Sequence, residues 1–222
     1  MKILHIITGL HRGGAEIMLY KLQYGLRNSS FNQSVISFSC ETSLSKDIRN
    51  LGVPVYSFDI KKDLSSCFKI LPILFLIIKI RPNLIQGWMY HGNIVASISK
   101  IFLSNILVNW NVRQSLIDIS KEKKFTKFII KLSAFFSSTV DRIVYNSTFS
   151  AETHEDIGFN KNKTTIIYNG FDIEKFIPNS NKEDIRQHYG IDSDKFLVGM
   201  IARYHPMKDH TNMINAAIIL LN

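Results

Sequence analysis

Three segments of this sequence carry residue types that could bind a phosphate or a sugar. The first, TGLHRGGAE, places Gly13 and Gly14 between an apolar run and a helix-like one. Glycines at such a junction let a ligand approach the amide groups of a helix N-terminus. The segment lacks both the G-x-G-x-x-G spacing and the lysine of a P-loop, so it matches neither common nucleotide fingerprint. Its spacing favours neither a ligand loop nor a turn that uses glycine for geometry alone.

The second and third segments contribute cations and a histidine. In IARYHPMKDH, Arg203 ends a predicted strand and Lys208 follows in the loop. A guanidinium and an ammonium that converge on a helix N-terminus would bind a pyrophosphate, although this segment taken alone favours a solvated basic loop. In GWMYHGN, His91 follows another predicted strand, where it could hydrogen-bond a sugar hydroxyl, transfer a proton or cap the adjacent helix.

These segments lie at the ends of β-branched apolar runs that alternate with helix-like segments. That order predicts an α/β fold with a mainly parallel sheet and helices on both faces, because most of the strands are apolar on both sides. Predicted helices open near Gly14, Thr42, Asp63, His91, Lys121 and Phe149. The predicted strands are KILHIIT, QSVISFS, VPVYSFDI, NLIQGWM, ILVNWNV, DRIVYNS and KTTIIYN.

The character of the sequence changes after IIYNGFD. A polar stretch that contains Pro178 predicts a linker with one short helix, and FLVGMIAR beyond it predicts a buried strand followed by the helix TNMINAAIILLN. One strand and two helices cannot bury a core of their own. We therefore predict an N-terminal Rossmann-like domain over residues 1–176, and over residues 177–222 a linker and the first βα unit of a truncated second domain.

The segment KEKKFTKFIIKLSAFF predicts a basic amphipathic helix. Lys124, Lys127 and Lys131 form one helical stripe, and Phe125, Phe128, Ile129, Leu132, Phe135 and Phe136 form another. Such a helix can lie on an anionic bilayer, but packing of the apolar stripe against the core with the lysines in solvent is the preferred interpretation. Nucleic-acid binding is disfavoured because no recognised module fits.

Composition narrows the class of partner and the compartment. The net charge of +9 and the pI near 9.5 indicate an anionic partner. The longest apolar stretch, residues 68–80, is broken by Lys69, Pro72 and Lys79 and is too short to span a membrane. The two cysteines, Cys40 and Cys67, fit no metal spacing and are predicted to be reduced, buried thiols in a cytoplasmic protein without a signal peptide.

Taken in order, the segments HIITGLHRGGAE, GVPVYSFD, RPNLIQGWMYHGN, DRIVYNSTFSAETHEDIGF, KTTIIYNGFDIEKFIP and VGMIARYHPMKDHTNMINAA resemble the N-terminal half of a family 4 retaining glycosyltransferase of the GT-B superfamily. This resemblance implies two Rossmann-like domains that face a cleft. The first would bind most of a glycan or lipid-linked acceptor, and the second most of a nucleotide-diphosphate-sugar donor.

The resemblance also implies roles for single residues. Gly13 and Gly14 would shape the loop that contacts the donor diphosphate or the acceptor, and His91 would lie near the transferred sugar. Arg203 and Lys208 would neutralise the diphosphate leaving group, without a bound metal or other cofactor. The sequence contains no E-x7-E segment after Lys208, the segment that contacts the donor in this family, so the 222 residues are expected to have little or no activity alone.

Two other functions remain open at this point. One is a non-catalytic module that binds an acceptor or the inner face of the cytoplasmic membrane, which the basic amphipathic helix would support. The other is an NAD-dependent oxidoreductase, against which the missing glycine fingerprint argues.

Overall fold

The computed structural model describes residues 1–60, 66–103, 105–116, 118–176, 182–204 and 208–221. The chain divides into two compact units, Met1–Gly170 and Phe171–Asn222. The first unit contains the strands β1 (Lys2–Ile7), β2 (Asn32–Ser37), β3 (Val55–Ser57), β4 (Leu84–Trp88), β5 (Leu107–Val112), β6 (Arg142–Tyr145) and β7 (Thr164–Ile166). Its helices are α1 (Gly14–Gly25), α2 (Ser43–Asn50), α3 (Ser66–Ile80), α4 (Met89–Phe102), α5 (Lys124–Phe136) and α6 (Thr148–Glu155).

All seven strands form one parallel sheet in the order β3-β2-β1-β4-β5-β6-β7. Each of the seven strands predicted between residues 1 and 170 is found, and the prediction of a parallel α/β sheet is confirmed. The predicted helix openings are also found within a few residues, except that Asp63 lies outside the described residues.

Two apolar layers, one on each face of the sheet, explain why these strands are apolar on both sides. On one face, Leu19 of α1 and Leu44 and Ile48 of α2 pack with Ile7 and Val35 of the strands. On the other face, α3, α4, α5 and α6 pack over a larger core that includes Ile6, Val108 and Ile143. The helices therefore cover both faces, as the alternating pattern predicts.

The start of α4 lies unusually close to the sheet because two glycines leave room for it. A Cβ built on Gly92 would collide with the carbonyl oxygen of Ile6 in β1, and one built on Gly87 would lie 2.6 Å from the Cα of Asn93. Real Cβ atoms essentially never come so near, and the obstructing atoms are backbone. The two glycines thus allow α4 to pack directly against β1 and β4.

Helix α5 packs with a different face from the one predicted. Its fully buried residues are Ile130 and Ser133, whereas Phe125, Phe128 and Phe135 are 66%, 59% and 77% exposed. The interpretation of a core-packed stripe is therefore wrong for these three phenylalanines, whereas Ile129 and Phe136 of the same stripe are partly buried against the core. Because apolar residues cover most of the circumference of α5, more than one of its faces could pack against the core. The face with Ile130 and Ser133 has smaller side chains than the phenylalanines, so it can approach α4 and the sheet more closely.

The second unit contains α7 (Lys182–His188) and α8 (His210–Leu221), which agree with the predicted helices. The predicted buried strand FLVGMIAR is wrong: residues 196–203 form no strand, and Phe196 and Ile201 are almost completely exposed. A strand needs a neighbour for its backbone groups and a layer to cover its side chains. Within the described part of this unit, neither is present.

The expectation of buried thiols is also wrong for Cys40. Cys40 lies in the loop after β2 and is exposed. The side chain of Cys67 lies outside the described residues.

The fit of α4 predicts a contrast between two glycine-to-alanine substitutions. Gly92→Ala forces α4 away from the Ile6 carbonyl and should lower the free energy of unfolding by about 3 kcal/mol. Gly14→Ala is the matched control, because a Cβ at Gly14 meets no atom within 4 Å. Urea denaturation of both variants measures the difference, and equal stabilities would contradict the close packing described for α4.

Candidate functional site at the carboxyl edge of the sheet

Strand β1 lies between β2 and β4, so the strand order reverses at this point of the sheet. The chain leaves β1 towards α1 and leaves β4 towards α4, which opens a crevice between the two connections. Ligands of open α/β sheets bind at such a crevice, outside the carboxyl ends of the strands. The structure places Gly13, Gly14 and His91 in the elements that border it.

The loop between β1 and α1 is held from the side of β2. Leu10 is fully buried, its amide donates to Ser39 Oγ at 3.3 Å, and its carbonyl accepts a hydrogen bond of 2.7 Å from Thr42 Oγ1. Thr42 is also the N-cap of α2 and accepts from the Ser45 amide, so the loop and α2 share one anchor. The anchored loop carries Gly13 and Gly14 to the start of α1.

The two glycines differ in their surroundings. Gly13 is the N-cap of α1 and has no side chain to cap the helix. A Cβ built on Gly13 would lie 2.5 Å from Glu16 Oε2, so the Glu16 carboxylate folds back over the positive end of the helix. Gly14 is exposed with open space around its Cα. An incoming anion would therefore meet open backbone at Gly14 and a competing carboxylate at Gly13.

No loop separates β4 from α4, because the strand ends at Trp88 and the helix begins at Met89. Met89 makes the turn with a φ of +60°, a left-handed conformation that a non-glycine residue seldom adopts. His91 follows in the first turn of α4, and its ring stacks on the ring of Phe125 with 6.1 Å between centroids. The His91 ring is therefore held between α4 and the start of α5, near the carboxyl edge.

A buried hydrogen-bond chain fixes α4 relative to α6. His154 is fully buried, and its Nδ1 lies 2.6 Å from the Ser150 carbonyl oxygen, to which it can only donate. Its Nε2 must then accept from the Tyr90 hydroxyl at 2.7 Å. Burial raises the pKa of Tyr90 to about 12, so its hydroxyl keeps its proton as a donor near neutral pH.

The face of the sheet under α1 carries a polar group that the sequence analysis missed. Trp88 Nε1 donates to His5 Nδ1 at 3.3 Å, and the guanidinium of Arg113 lies over the Trp88 ring at 5.6 Å from its centroid. Arg113 follows β5 directly and so lies at the same carboxyl edge. The alternation of Asn109, Asn111 and Arg113 with apolar residues in and after β5 was the signal that could have identified it.

The remaining predicted site residues belong to other elements than those that border this crevice. Arg203 and Lys208 are exposed and belong to the second unit, on either side of residues 205–207, which lie outside the described part. Their convergence on a diphosphate remains a prediction. In α5, Lys124 and Lys131 are exposed, whereas Lys127 is partly buried and its Nζ donates to the Ser120 carbonyl at 2.5 Å.

Two further observations concern metals and membranes. Among the described residues, no three histidine, cysteine or acidic side chains are grouped as a metal site requires. Over the same ranges, no helix is long and apolar enough to cross a membrane.

Comparisons with known proteins agree with this architecture. The sequence model of the family described as Glycosyltransferase Family 4 matches residues 12–175. EpsF of Bacillus subtilis (strain 168), which is named as a glycosyltransferase, is 22% identical over 229 residues, and the match covers 97% of this chain and 57% of EpsF.

Solved structures of HepE from Anabaena share the fold. HepE in complex with UDP superposes with a TM-score of 0.80 at 20% identity, over 98% of this chain and 57% of HepE. HepE in complex with UDP-glucose gives a TM-score of 0.76 at 22% identity, over the same shares of the two chains. This chain therefore spans little more than half the length of the relatives that it matches.

The burial of His5 predicts an acid-sensitive fold. Burial lowers the pKa of His5 from 6.5 to about 4, against a smaller opposing effect of the Gln33 side chain. Below about pH 6.5 the His5 imidazole becomes protonated in the unfolded chain but stays neutral in the folded chain. The free energy of unfolding is therefore highest above that pH and falls between pH 6.5 and pH 4. The loss should reach about 3 kcal/mol for this residue.

Urea denaturation of the wild type and of His5→Asn between pH 7 and pH 4 measures this loss. The variant removes the titrating group, so its stability should fall less steeply with acid even if it starts lower. Burial also lowers the pKa of His154, which gives His154→Asn as a second test of the same effect on the other face of the sheet. Parallel slopes for the wild type and both variants would refute the assignment.

Proposed function

Because this chain belongs to Glycosyltransferase Family 4, we propose that it takes part in transferring a sugar from a nucleotide-diphosphate-sugar donor to a glycan or lipid-linked acceptor. The match of the family model over residues 12–175 is the observation that carries this proposal. Transfer would proceed with retention of the anomeric configuration and would serve the biosynthesis of a polysaccharide or glycolipid. The protein would work in the cytoplasm, at or near the inner face of the membrane.

The first unit would form the acceptor side of the cleft, in a domain that extends to about residue 176. Gly13 and Gly14 would admit a sugar or phosphate at the start of α1, where Gly14 is exposed and has open space on the side that a Cβ would occupy. His91 would hydrogen-bond the transferred sugar. The stacking of His91 on Phe125 supports this role, because a held imidazole loses little freedom when the substrate binds.

The donor side would be provided by residues 177–222 together with the rest of a donor-binding domain. HepE has been solved with UDP and with UDP-glucose, which supports a UDP-sugar as the donor class. As the bond to the donor sugar breaks, negative charge builds on the diphosphate. Arg203 and Lys208 would stabilise that charge directly, so that no metal is required.

A chimera tests the proposal, with residues 1–170 of this chain joined to the second domain of HepE. We expect the chimera to release UDP from UDP-glucose in the presence of a bacterial lipid and glycan extract, and the product linkage to keep the donor's anomeric configuration by NMR. His91→Ala should lower kcat by about 100-fold or more with unchanged UDP affinity, and His91→Gln by less. An equal kcat for wild-type and His91→Ala chimeras would contradict the role of His91.

The 222-residue chain alone should release UDP at the background rate in the same assay. Its Arg203 follows a segment, residues 196–201, that is exposed and outside any sheet, so the diphosphate cations lack a fixed position. Turnover by this chain at the rate of the chimera would overturn this expectation while strengthening the assignment of sugar transfer.

A second candidate function is binding to an anionic membrane surface, and the exposed face of α5 favours it. Phe125, Phe128 and Phe135 face solvent beside the exposed Lys124 and Lys131. Helix α3 also exposes apolar side chains, with Leu71 and Phe75 at 65% and 70% exposure. Exposed apolar side chains flanked by lysines suit the boundary between acyl chains and anionic head groups.

Liposome co-sedimentation tests this second function. The chain should bind vesicles that contain anionic phosphatidylglycerol more tightly than neutral vesicles. Phe128→Ser/Phe135→Ser and Lys124→Glu/Lys131→Glu should each weaken binding about tenfold or more. Phe31→Ser is the matched control, because Phe31 is exposed but lies at the amino edge of the sheet. Equal binding to both kinds of vesicle would exclude this function.

A further inference from the structure

Arg113 is held in one orientation at the carboxyl edge of the sheet. Its Nε donates to Asn111 Oδ1 at 2.6 Å, and its Nη1 donates to Asn169 Oδ1 at 2.8 Å. The Trp88 ring lies beneath the guanidinium. Three elements therefore position this side chain: β4 through Trp88, β5 through Asn111, and the segment after β7 through Asn169.

This platform is rigid because its inner parts are buried. Trp88 and Asn111 are 1% and 2% exposed, and the Trp88 indole is itself tied to His5. A cation over the face of a tryptophan is attracted by the ring, which adds to the two hydrogen bonds. Arg113 is consequently prepared for a ligand without having to lose rotamer freedom on binding.

The charge of Arg113 is not balanced within the described part of the protein. The ion pairs found there join Arg12 to Asp47, Arg49 to Glu41 and Lys100 to Asp141, and none includes Arg113. Its two acceptors are neutral amide oxygens. Burial lowers the pKa of Arg113, and no carboxylate opposes that effect. A partly buried cation without a counterion is costly, and its cost is removed when an anion binds.

The guanidinium also retains unused donors. Arginine has five N–H groups, and the hydrogen bonds of Arg113 to described residues use one on Nε and one on Nη1. The free groups include the whole of Nη2, which can pair with an anionic oxygen in the bidentate geometry that arginine favours for phosphate. Lys21 brings a second positive charge to the same corner, since its Nζ donates to the carbonyl of Gly170, the residue after Asn169.

We propose that Arg113 binds the phosphate group of a phosphorylated acceptor. The proposal rests on the proposed function of the first unit as the acceptor side. It extends that function by specifying an acceptor that carries a phosphate or diphosphate, held at the carboxyl end of β5 beside Trp88. The donor diphosphate would instead be bound by Arg203 and Lys208 of the second unit.

The two tryptophans of the chain provide a direct readout. Trp88 lies under Arg113, whereas Trp110 lies in the core on the other face of the sheet, where its Nε1 donates to Ser97 Oγ at 3.1 Å. Nitrogen-15 NMR of the indole groups therefore reports on the site and contains its own control. Farnesyl diphosphate is the probe for a phosphorylated acceptor, and UDP is the probe for the donor.

We expect farnesyl diphosphate to shift the Trp88 indole signal and to leave the Trp110 signal unchanged. Arg113→Met should weaken this binding about tenfold or more, and Arg113→Lys should weaken it less, because an ammonium keeps the charge but loses the bidentate geometry. Arg142→Met is the matched control: it removes the same charge from an exposed arginine at the amino end of β6.

Several results would overturn the proposal. If farnesyl diphosphate leaves the Trp88 signal of the wild-type protein unchanged, the proposal is wrong, and this result does not depend on the folding of any variant. If Arg113→Met and Arg142→Met weaken the binding of farnesyl diphosphate equally, the net charge of the protein explains the effect and Arg113 has no specific role. A Trp88 shift produced by UDP and not by farnesyl diphosphate assigns Arg113 to the donor. Binding in this assay needs no turnover, so failure of the chimera to transfer sugar is a separate result.

Discussion

The contact of α4 with β1 and β4 is the constraint on which the carboxyl edge of the sheet depends. The backbone of Gly92 packs against the Ile6 carbonyl and that of Gly87 against Asn93, with no room for a Cβ at either glycine, so α4 lies as close to the sheet as its backbone allows. Because α4 begins in the residue after β4, the turn has to be made within one residue, and Met89 adopts a left-handed conformation to make it. The position of His91 follows from this geometry.

The core of the first unit was predictable because its signal is local. Each strand is a short β-branched run that is apolar on both faces, and glycine or polar residues punctuate the runs, so strand positions and the parallel arrangement follow from pattern alone. The positions of Gly13, Gly14 and His91 at the carboxyl edge were predictable for the same reason: they stand at the ends of such runs, where parallel strands meet at one edge.

What the sequence did not reveal depends on contacts between distant segments. The apolar residues of α5 surround most of the helix, and only the packing against α4 shows that Ile130 and Ser133 face inward while Phe128 does not. FLVGMIAR has the composition of a strand, but a strand also requires a paired neighbour. Arg113 was overlooked because its acceptor on Asn169 is 56 positions away along the chain.

The hydrogen bond between Tyr90 and His154 has a consequence for how this sequence can change over time. Its direction is imposed, since the Ser150 carbonyl occupies Nδ1 of the imidazole and leaves Nε2 only an acceptor's role. A phenylalanine at position 90 would leave the buried His154 Nε2 without a hydrogen-bond donor, and a leucine at position 154 would leave the buried Tyr90 hydroxyl without an acceptor. Substitutions at positions 90 and 154, which lie 64 residues apart, should therefore be correlated among homologues.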